Sequence, residues 1–314
     1  MRILKRCAES AAKVTFPPSV HESDEKAFYF VGPLESIVMN DRTERLKEAF
    51  NYLADGTACS QIGPFEGTRL RRIVLSASMR IIENSTFRDC SSLKYVYVPD
   101  GVEEIGEKAF KGCGIEWIEL LSSVARIGRE AFACTDLRSF AAPASLRVLA
   151  HGAFRGCKQL RRAELNEGLE TLGTQGETGC GVFANSGLEE LRLPSTLRRV
   201  ESGALQYCRA RTVSLPEGLW YLGSQCFAGS AIGQVLLPAS LEVVREPLED
   251  FCEAFRRVYV EEGCPLPVKH LSPILCSLLF GEKTTSLSAS RPQNALSPSC
   301  STHAGTTTRA TQSP

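Results

Sequence analysis

The residues of this chain whose single side chain can ligate a soft metal, act as a nucleophile or carry a proton near neutral pH include thirteen cysteines and four histidines. A metal centre needs several such groups to converge, and closely spaced pairs usually announce one. His21, His151, His270 and His303 lie far apart, and none has a second histidine or a cysteine three or four residues on. No Cys-x-x-Cys pair occurs, and the even spacing of Cys252, Cys264 and Cys276 reads as coincidence. The glycines of the stretch 174–181 (Gly176, Gly179, Gly181) lack the order of a dinucleotide loop and no Lys-Ser or Lys-Thr follows them. A surface loop is expected there, not a phosphate cradle. No Gly-x-Ser-x-Gly elbow is present, and His151 reads as solvent-facing or backbone-bonded rather than as a general base. The residues therefore point to no catalytic group, no cofactor and no metal site, and to a protein that is not an enzyme.

The cysteines make sense in another frame. Cys90, Cys113, Cys157 and Cys208 each fall three residues after a phenylalanine or, once, after Leu205; Thr135, Ser186 and Ser230 fill the same slot elsewhere. A position that accepts Cys, Ser or Thr wants a small, buried, weakly hydrogen-bonding side chain, not a disulfide partner. Reduced thiols suit a reducing compartment. The phenylalanines set the frame: Phe65, Phe87, Phe110, Phe132, Phe154, Phe183 and Phe227 recur about every 22 residues, with Leu205 standing in once and a longer step before Phe183. Such a period marks a solenoid whose units bury their apolar faces only by stacking.

Each unit, over residues 60–263, has three parts. A run such as Leu93-Lys94-Tyr95-Val96-Tyr97-Val98-Pro99 ends in strand alternation, with its first, fourth and sixth residues inward, and Pro stops the ladder. A short run follows with apolar residues three apart and a glycine after them, as in Val102, Ile105 and Gly106. That glycine is expected to allow a tight corner or a positive φ. An Ala-Phe turn closes the unit, and its ring is expected to stack on the next. Leu205 should thin its coil. Residues 1–59 read as an N-terminal segment, with a capping helix near 41–54 on the spacing of Leu46, Ala49, Phe50 and Leu53. Phe251, Phe255, Val258 and Val260 read as a last, atypical unit. Residues 264–281 read as a C-terminal cap segment, and the Ser/Thr/Pro-rich tail 282–314 as disordered.

The unit, roughly LxxVxVPxxVxxIGxxAFxxC, resembles the BspA-like leucine-rich repeat; VPDGVEEIGEKAFKGC and LPSTLRRVESGALQYC carry the likeness best. The resemblance implies an α/β-type leucine-rich-repeat solenoid, or horseshoe, with a parallel strand ladder on one face and turns and short helices on the other. It also implies adhesion or protein binding rather than catalysis.

Basic and acidic residues balance at 36 each, so no net charge draws the chain to nucleic acid or an anionic membrane. No apolar run approaches the ~20 residues of a bilayer span. The N-terminus lacks the apolar core of a secretory signal, so a cytoplasmic location is expected. A surface adhesin exported without such a signal is the alternative. A protein partner is the expected ligand, and the outward strand positions are its expected site. The third positions include Tyr95, Trp117, Arg162, Glu190 and Arg257; the fifth include Tyr97, Glu119, Glu164, Arg192 and Tyr259. Eight strands would make a face roughly 35 Å across. Trp, Tyr and Arg dominate binding hot spots, although exposed aromatics also stabilise strands by cross-strand packing; both readings are open at this point. Trp220 and Tyr221 are expected as a second exposed aromatic pair. Lys13-Val14-Thr15-Phe16 resembles the short docking motif of type-one protein phosphatase, which implies a phosphatase-targeting subunit as a further alternative; four residues match by chance often, and the same residues can be a terminal strand.

Overall fold

The structure is a computed structural model. It describes residues 12–23, 34–47, 62–176 and 181–245, and the backbone alone of the strand segments 2–4, 49–52, 58–61 and 257–260. The described chain winds as a succession of short strands and turns into a β-solenoid of parallel ladders.

Alternation of apolar and polar residues forms the longer strands. In Tyr95–Val98 the two valines are buried and the two tyrosines exposed. Eleven such strands succeed one another, from Lys13–Thr15 through Ser36–Val38 and Arg72–Val74 to Arg257–Val260, paired in parallel within four sheets. Pro follows six of these strands, at Pro17, Pro99, Pro143, Pro194, Pro216 and Pro238, and its carbonyl starts the next bend by accepting the N–H three residues on, as at Pro143–Leu146 and Pro194–Leu197; Asn40, Ser76, Leu121 and Asn166 make the same bend in other coils. A second ladder of two-residue strands runs without interruption from Ile81–Ile82 to Val243–Val244.

The third side of each coil is the Ala-Phe turn. Phe87, Phe110, Phe132, Phe154 and Phe183 are fully buried. From Phe65 onward, neighbouring rings stack 5.2–5.5 Å apart at 3–14°. Leu205, also buried, interrupts the column before Phe227. The turn's amides bond sideways, as Phe87 N to Ala109 O at 2.8 Å and Phe110 N to Ala131 O at 2.8 Å. Left-handed residues flank it, such as Lys108 (φ 56°) and Gly112 (φ 72°). A right-handed helix cannot pass through such a residue, so the short helices implied by the resemblance do not form; no helix occurs among the described residues.

The glycine of the second run has the expected positive φ at Gly173 (φ 101°), and a different reason at other coils. Gly106 and Gly128 do not have positive φ. A Cβ on Gly106 would lie 2.8 Å from Asn84 N and 2.9 Å from Ile82 O. Close approach of adjacent coils selects glycine there.

The repeat also begins earlier than residue 60. Val14, Phe16 and Val20 occupy the places of Val96, Val98 and Val102, and Leu34, Ile37, Met39 and Leu46 make the next coil. The capping helix near 41–54 is therefore absent. Glu44 N bonds to His21 O at 2.8 Å, and Ala49–Tyr52 pairs antiparallel with Ala58–Ile62. Leu46 is held in the solenoid core, and lateral pairing to the neighbouring coil takes the amides a helix would use. At the other end, Val258 and Val260 pair with Val235 and Leu237, as a last coil would. The cap segment 264–281 and the tail 282–314 lie outside the described residues.

Candidate binding face

Outward positions of the long strands fall into two rows because side chains alternate along each strand and the register is unshifted between coils. Trp117 lies opposite Tyr95, and Glu119 opposite Tyr97. Tyr95 is 65% exposed, Tyr97 55% and Trp117 50%. Val74 (39%) and Val38 (36%), paired with each other, extend the apolar surface towards the N-terminus. Sequence spacing missed these two valines, although Leu34, Ile37 and Met39 and Leu70, Ile73 and Leu75 keep the leading pattern, because no Pro follows these two strands. The inward alternation of Ile37 and Ile73 is the signal that would have found them.

The aromatics are not used up in strand packing. Among the described residues the ring contacts are those of the buried phenylalanines and of Trp220 with Tyr221. None joins Tyr95, Tyr97 and Trp117.

The charged half of the face is different. Arg162 Nε bonds to Glu190 at 2.8 Å, and Arg192 lies 3.4 Å from Glu164. Each pair joins register neighbours. Lys94, Glu116 and Arg138 form a further chain of 3.4 and 2.9 Å contacts beside the aromatics. The Arg162–Glu190 and Arg192–Glu164 pairs are exposed, Lys94 and Glu116 are half-buried, and such surface pairs contribute little to stability. They present a surface already neutralised. Arg257 and Tyr259 continue the rows in backbone register with Gln234 and Leu236, but their side chains lie outside the described residues.

Trp220 and Tyr221 do not form an exposed pair. Tyr221 is buried beneath two arginines, with the Arg199 guanidinium 3.8 Å over its ring and 4.8 Å over that of Trp220. Arg245 donates to the Tyr221 hydroxyl at 3.3 Å. Arg199 in turn holds the buried carboxylate of Glu201 at 2.9 Å.

Lys13–Thr15 is a strand of the ladder, paired residue by residue with Ser36–Val38, and Phe16 N bonds to Val38 O at 2.9 Å just after it. Phe16 is buried and Val14 packs against the core. The two apolar residues that a docking motif would insert into a partner are thus turned inward, and the ladder accounts for all four residues.

The cysteine slot is a column of buried donors. Cys90, Cys113 and Cys157 direct their thiols to the carbonyls of Phe65, Phe87 and Phe132 at 2.9–3.1 Å, each across to the preceding coil. Thr135 adds a 3.3 Å contact to Cys157. Burial pushes the Cys157 thiol up to about 11 and those of Cys113 and Cys226 higher, so these are poor nucleophiles. His151 is buried rather than solvent-facing, and its backbone N–H donates to Thr174 Oγ1 at 3.3 Å. Of the Gly-rich insert, residues 177–180 lie outside the described residues. No group of three His, Cys, Asp or Glu is placed to hold a metal ion among the described residues, and no helix there is long and apolar enough to cross a membrane.

The stacked coils, the column of phenylalanines and the sideways-bonded turns fit one family model, the BspA type leucine rich repeat region. It matches in six copies over residues 4–56, 61–181 and 176–264. The chain belongs to the BspA-type leucine-rich repeat family. The first match confirms that the BspA-type units start before residue 60. Among solved structures, a leucine-rich repeat protein of Bacteroides ovatus is 18% identical over 79% of this chain and 63% of that one, with a TM-score of 0.49. This BspA-type chain thus spans less than two thirds of that protein's length. A T. pallidum leucine-rich repeat protein is 22% identical over 72% of this chain and 80% of that one, at a TM-score of 0.41. A leucine-rich cell surface protein of Faecalibacterium prausnitzii is 17% identical over 87% and 83%, at 0.37. No curated protein matches the chain in sequence.

Proposed function

We propose that this chain is a non-enzymatic scaffold that binds a protein partner through the N-terminal half of its long-strand face. One observation carries the reading: Tyr95, Tyr97 and Trp117 stand half or more exposed on adjacent paired strands, and Val38 and Val74 are exposed on the two long strands before them. Exposed apolar area of that kind marks interaction sites, and Tyr and Trp are the residue types that anchor them. The Arg162–Glu190 and Glu164–Arg192 pairs serve as a polar rim, adding selectivity more than affinity.

The test is affinity purification from the native cell with the full chain as bait. Tyr95→Ala with Trp117→Ala should abolish recovery of the main partner, with the thermal unfolding midpoint unchanged. Arg162→Ala with Glu190→Ala should keep it. Unchanged recovery by the aromatic variant would remove the assignment to this face.

We further infer a cytoplasmic location. The thiols of Cys90, Cys113 and Cys157 serve as hydrogen-bond donors, a role that needs them reduced. Labelling of intact cells with an impermeant reagent checks it; labelling without lysis would favour a surface adhesin instead.

A further inference from the structure

The chain already shows how it holds an arginine. On the short-strand side, Arg199 lies over Tyr221 and Trp220 while its guanidinium bonds to the Glu201 carboxylate. Two aromatic faces and one carboxylate make the seat. Ring quadrupoles attract the cation, and the carboxylate satisfies its N–H fork.

The same set of groups recurs on the long-strand face with no cation in it. Tyr95 and Trp117 are register partners, as are Tyr97 and Glu119. In a parallel ladder, four such positions mark the corners of a rectangle of about 5 by 7 Å. The three rings do not stack on one another. The cation–π contacts among the described residues are those of Arg199 and Arg245. Glu119 is exposed and has no ion-pair partner among the described residues. The nearby cations are engaged or displaced. Lys94 pairs with Glu116 and Asp136, and Arg138 with Glu116. Arg72 lies one strand beyond Tyr95, on the side away from Glu119.

We propose that Tyr95, Tyr97, Trp117 and Glu119 form a seat for an arginine side chain of the protein partner. This rests on the reading of the face given above and names what the partner brings to it. A guanidinium suits the seat better than an ammonium: it is planar, weakly hydrated, stacks on flat rings and pairs with a carboxylate through two N–H groups.

The chain has two tryptophans, so ¹⁹F NMR of the 5-fluorotryptophan-labelled full chain reads the seat directly, with Trp117→Phe assigning the signals. The probes are N-acetyl-arginine amide, its neutral isostere N-acetyl-citrulline amide, and N-acetyl-lysine amide, all at constant ionic strength. Arginine should shift the Trp117 signal saturably and leave Trp220, whose seat is filled by Arg199, unmoved. Citrulline should bind about fivefold more weakly or less, and Glu119→Gln should weaken arginine binding about fivefold, which corresponds to about 1 kcal/mol. A non-saturating shift, equal binding of citrulline, or no effect of Glu119→Gln would overturn the proposal; lysine binding as well as arginine would overturn its assignment to a guanidinium. Loss of the partner in the Tyr95/Trp117 variant without arginine binding would leave the face assignment standing and remove the seat. Arginine binding with unchanged partner recovery would do the opposite.

Discussion

Replacing Phe110 by Ala tests the physical account of the solenoid core. Phe110 is fully buried and stacks on Phe87 at 5.2 Å and Phe132 at 5.4 Å. Truncating a buried Phe to Ala costs about 3–5 kcal/mol through lost transfer energy and the cavity left behind. Two stacked pairs, at about 0.5–1.5 kcal/mol each beyond area, place the expected loss in the upper half of that range or slightly above it, about 4–6 kcal/mol. Leu205 is an internal comparison, equally buried but outside the ring column. Leu205→Ala should cost about 2–4 kcal/mol. Because each coil touches only its neighbours, the damage should be local. Urea unfolding should show the Phe110→Ala midpoint falling further than that of Leu205→Ala, and limited proteolysis should cut first near the 87–132 coils. Equal losses for the two variants would refute a contribution from the stack. A loss below about 1 kcal/mol for Phe110→Ala would refute the tight packing of the column itself.

Thiol reactivity should follow burial: with iodoacetamide near pH 8, exposed Cys134 should be labelled while Cys90, Cys113, Cys157, Cys208 and Cys226 are protected until the chain unfolds, as read by peptide mass spectrometry. Burial would push the Glu130 carboxyl up, but Lys111, with Lys108 and Arg155, outweighs it and holds the group below the usual carboxylate range. Its contribution is therefore full above the ordinary carboxylate pKa of about 4.3 and is lost as pH falls through the lower folded value. Glu130→Gln should accordingly flatten the acid limb of a plot of urea midpoint against pH, and an unchanged limb would count against this ion pair. Gly106→Ala, whose Cβ would strike backbone of the previous coil at 2.8 Å, should lose about 1–3 kcal/mol in thermal or urea unfolding. Gly67→Ala, with open space but φ +69°, should lose about 1 kcal/mol from left-handed strain alone.

The period of the phenylalanines and the alternation of the long strands made the solenoid, its inward residues and the buried Cys/Ser/Thr slot legible in sequence. These are short-range patterns with a fixed spacing, and the structure repeats them coil by coil. The N-terminal coils were harder. Between Ile37 and Ile73 the chain inserts the Ala49–Tyr52 and Ala58–Ile62 hairpin, which stretches the period and leaves Leu46 to be mistaken for part of a helical face. Tyr221 was misplaced for another reason. Its outward position is real, but Arg199 and Arg245 close over it, and such long-range covers have no local signature. At the candidate site, the rows Tyr95–Trp117 and Tyr97–Glu119 followed from alternation alone. That Arg162 and Glu190 neutralise each other while Glu119 stands without an ion-pair partner needed the register between coils.

The two ladders differ in continuity, and this sets how the molecule bears load. On the short-strand side the hydrogen bonds run unbroken over eight coils. On the long-strand side the ladder is divided into four sheets, with seams after Val74, Leu120 and Arg192. One side is thus a spine and the other a row of plates. Bending that opens the long face strains the seams before the plates. The first seam lies between Val74 and Tyr95, inside the apolar patch itself. A partner seated across it would act as a splint, stiffening the solenoid at the place where it is most compliant.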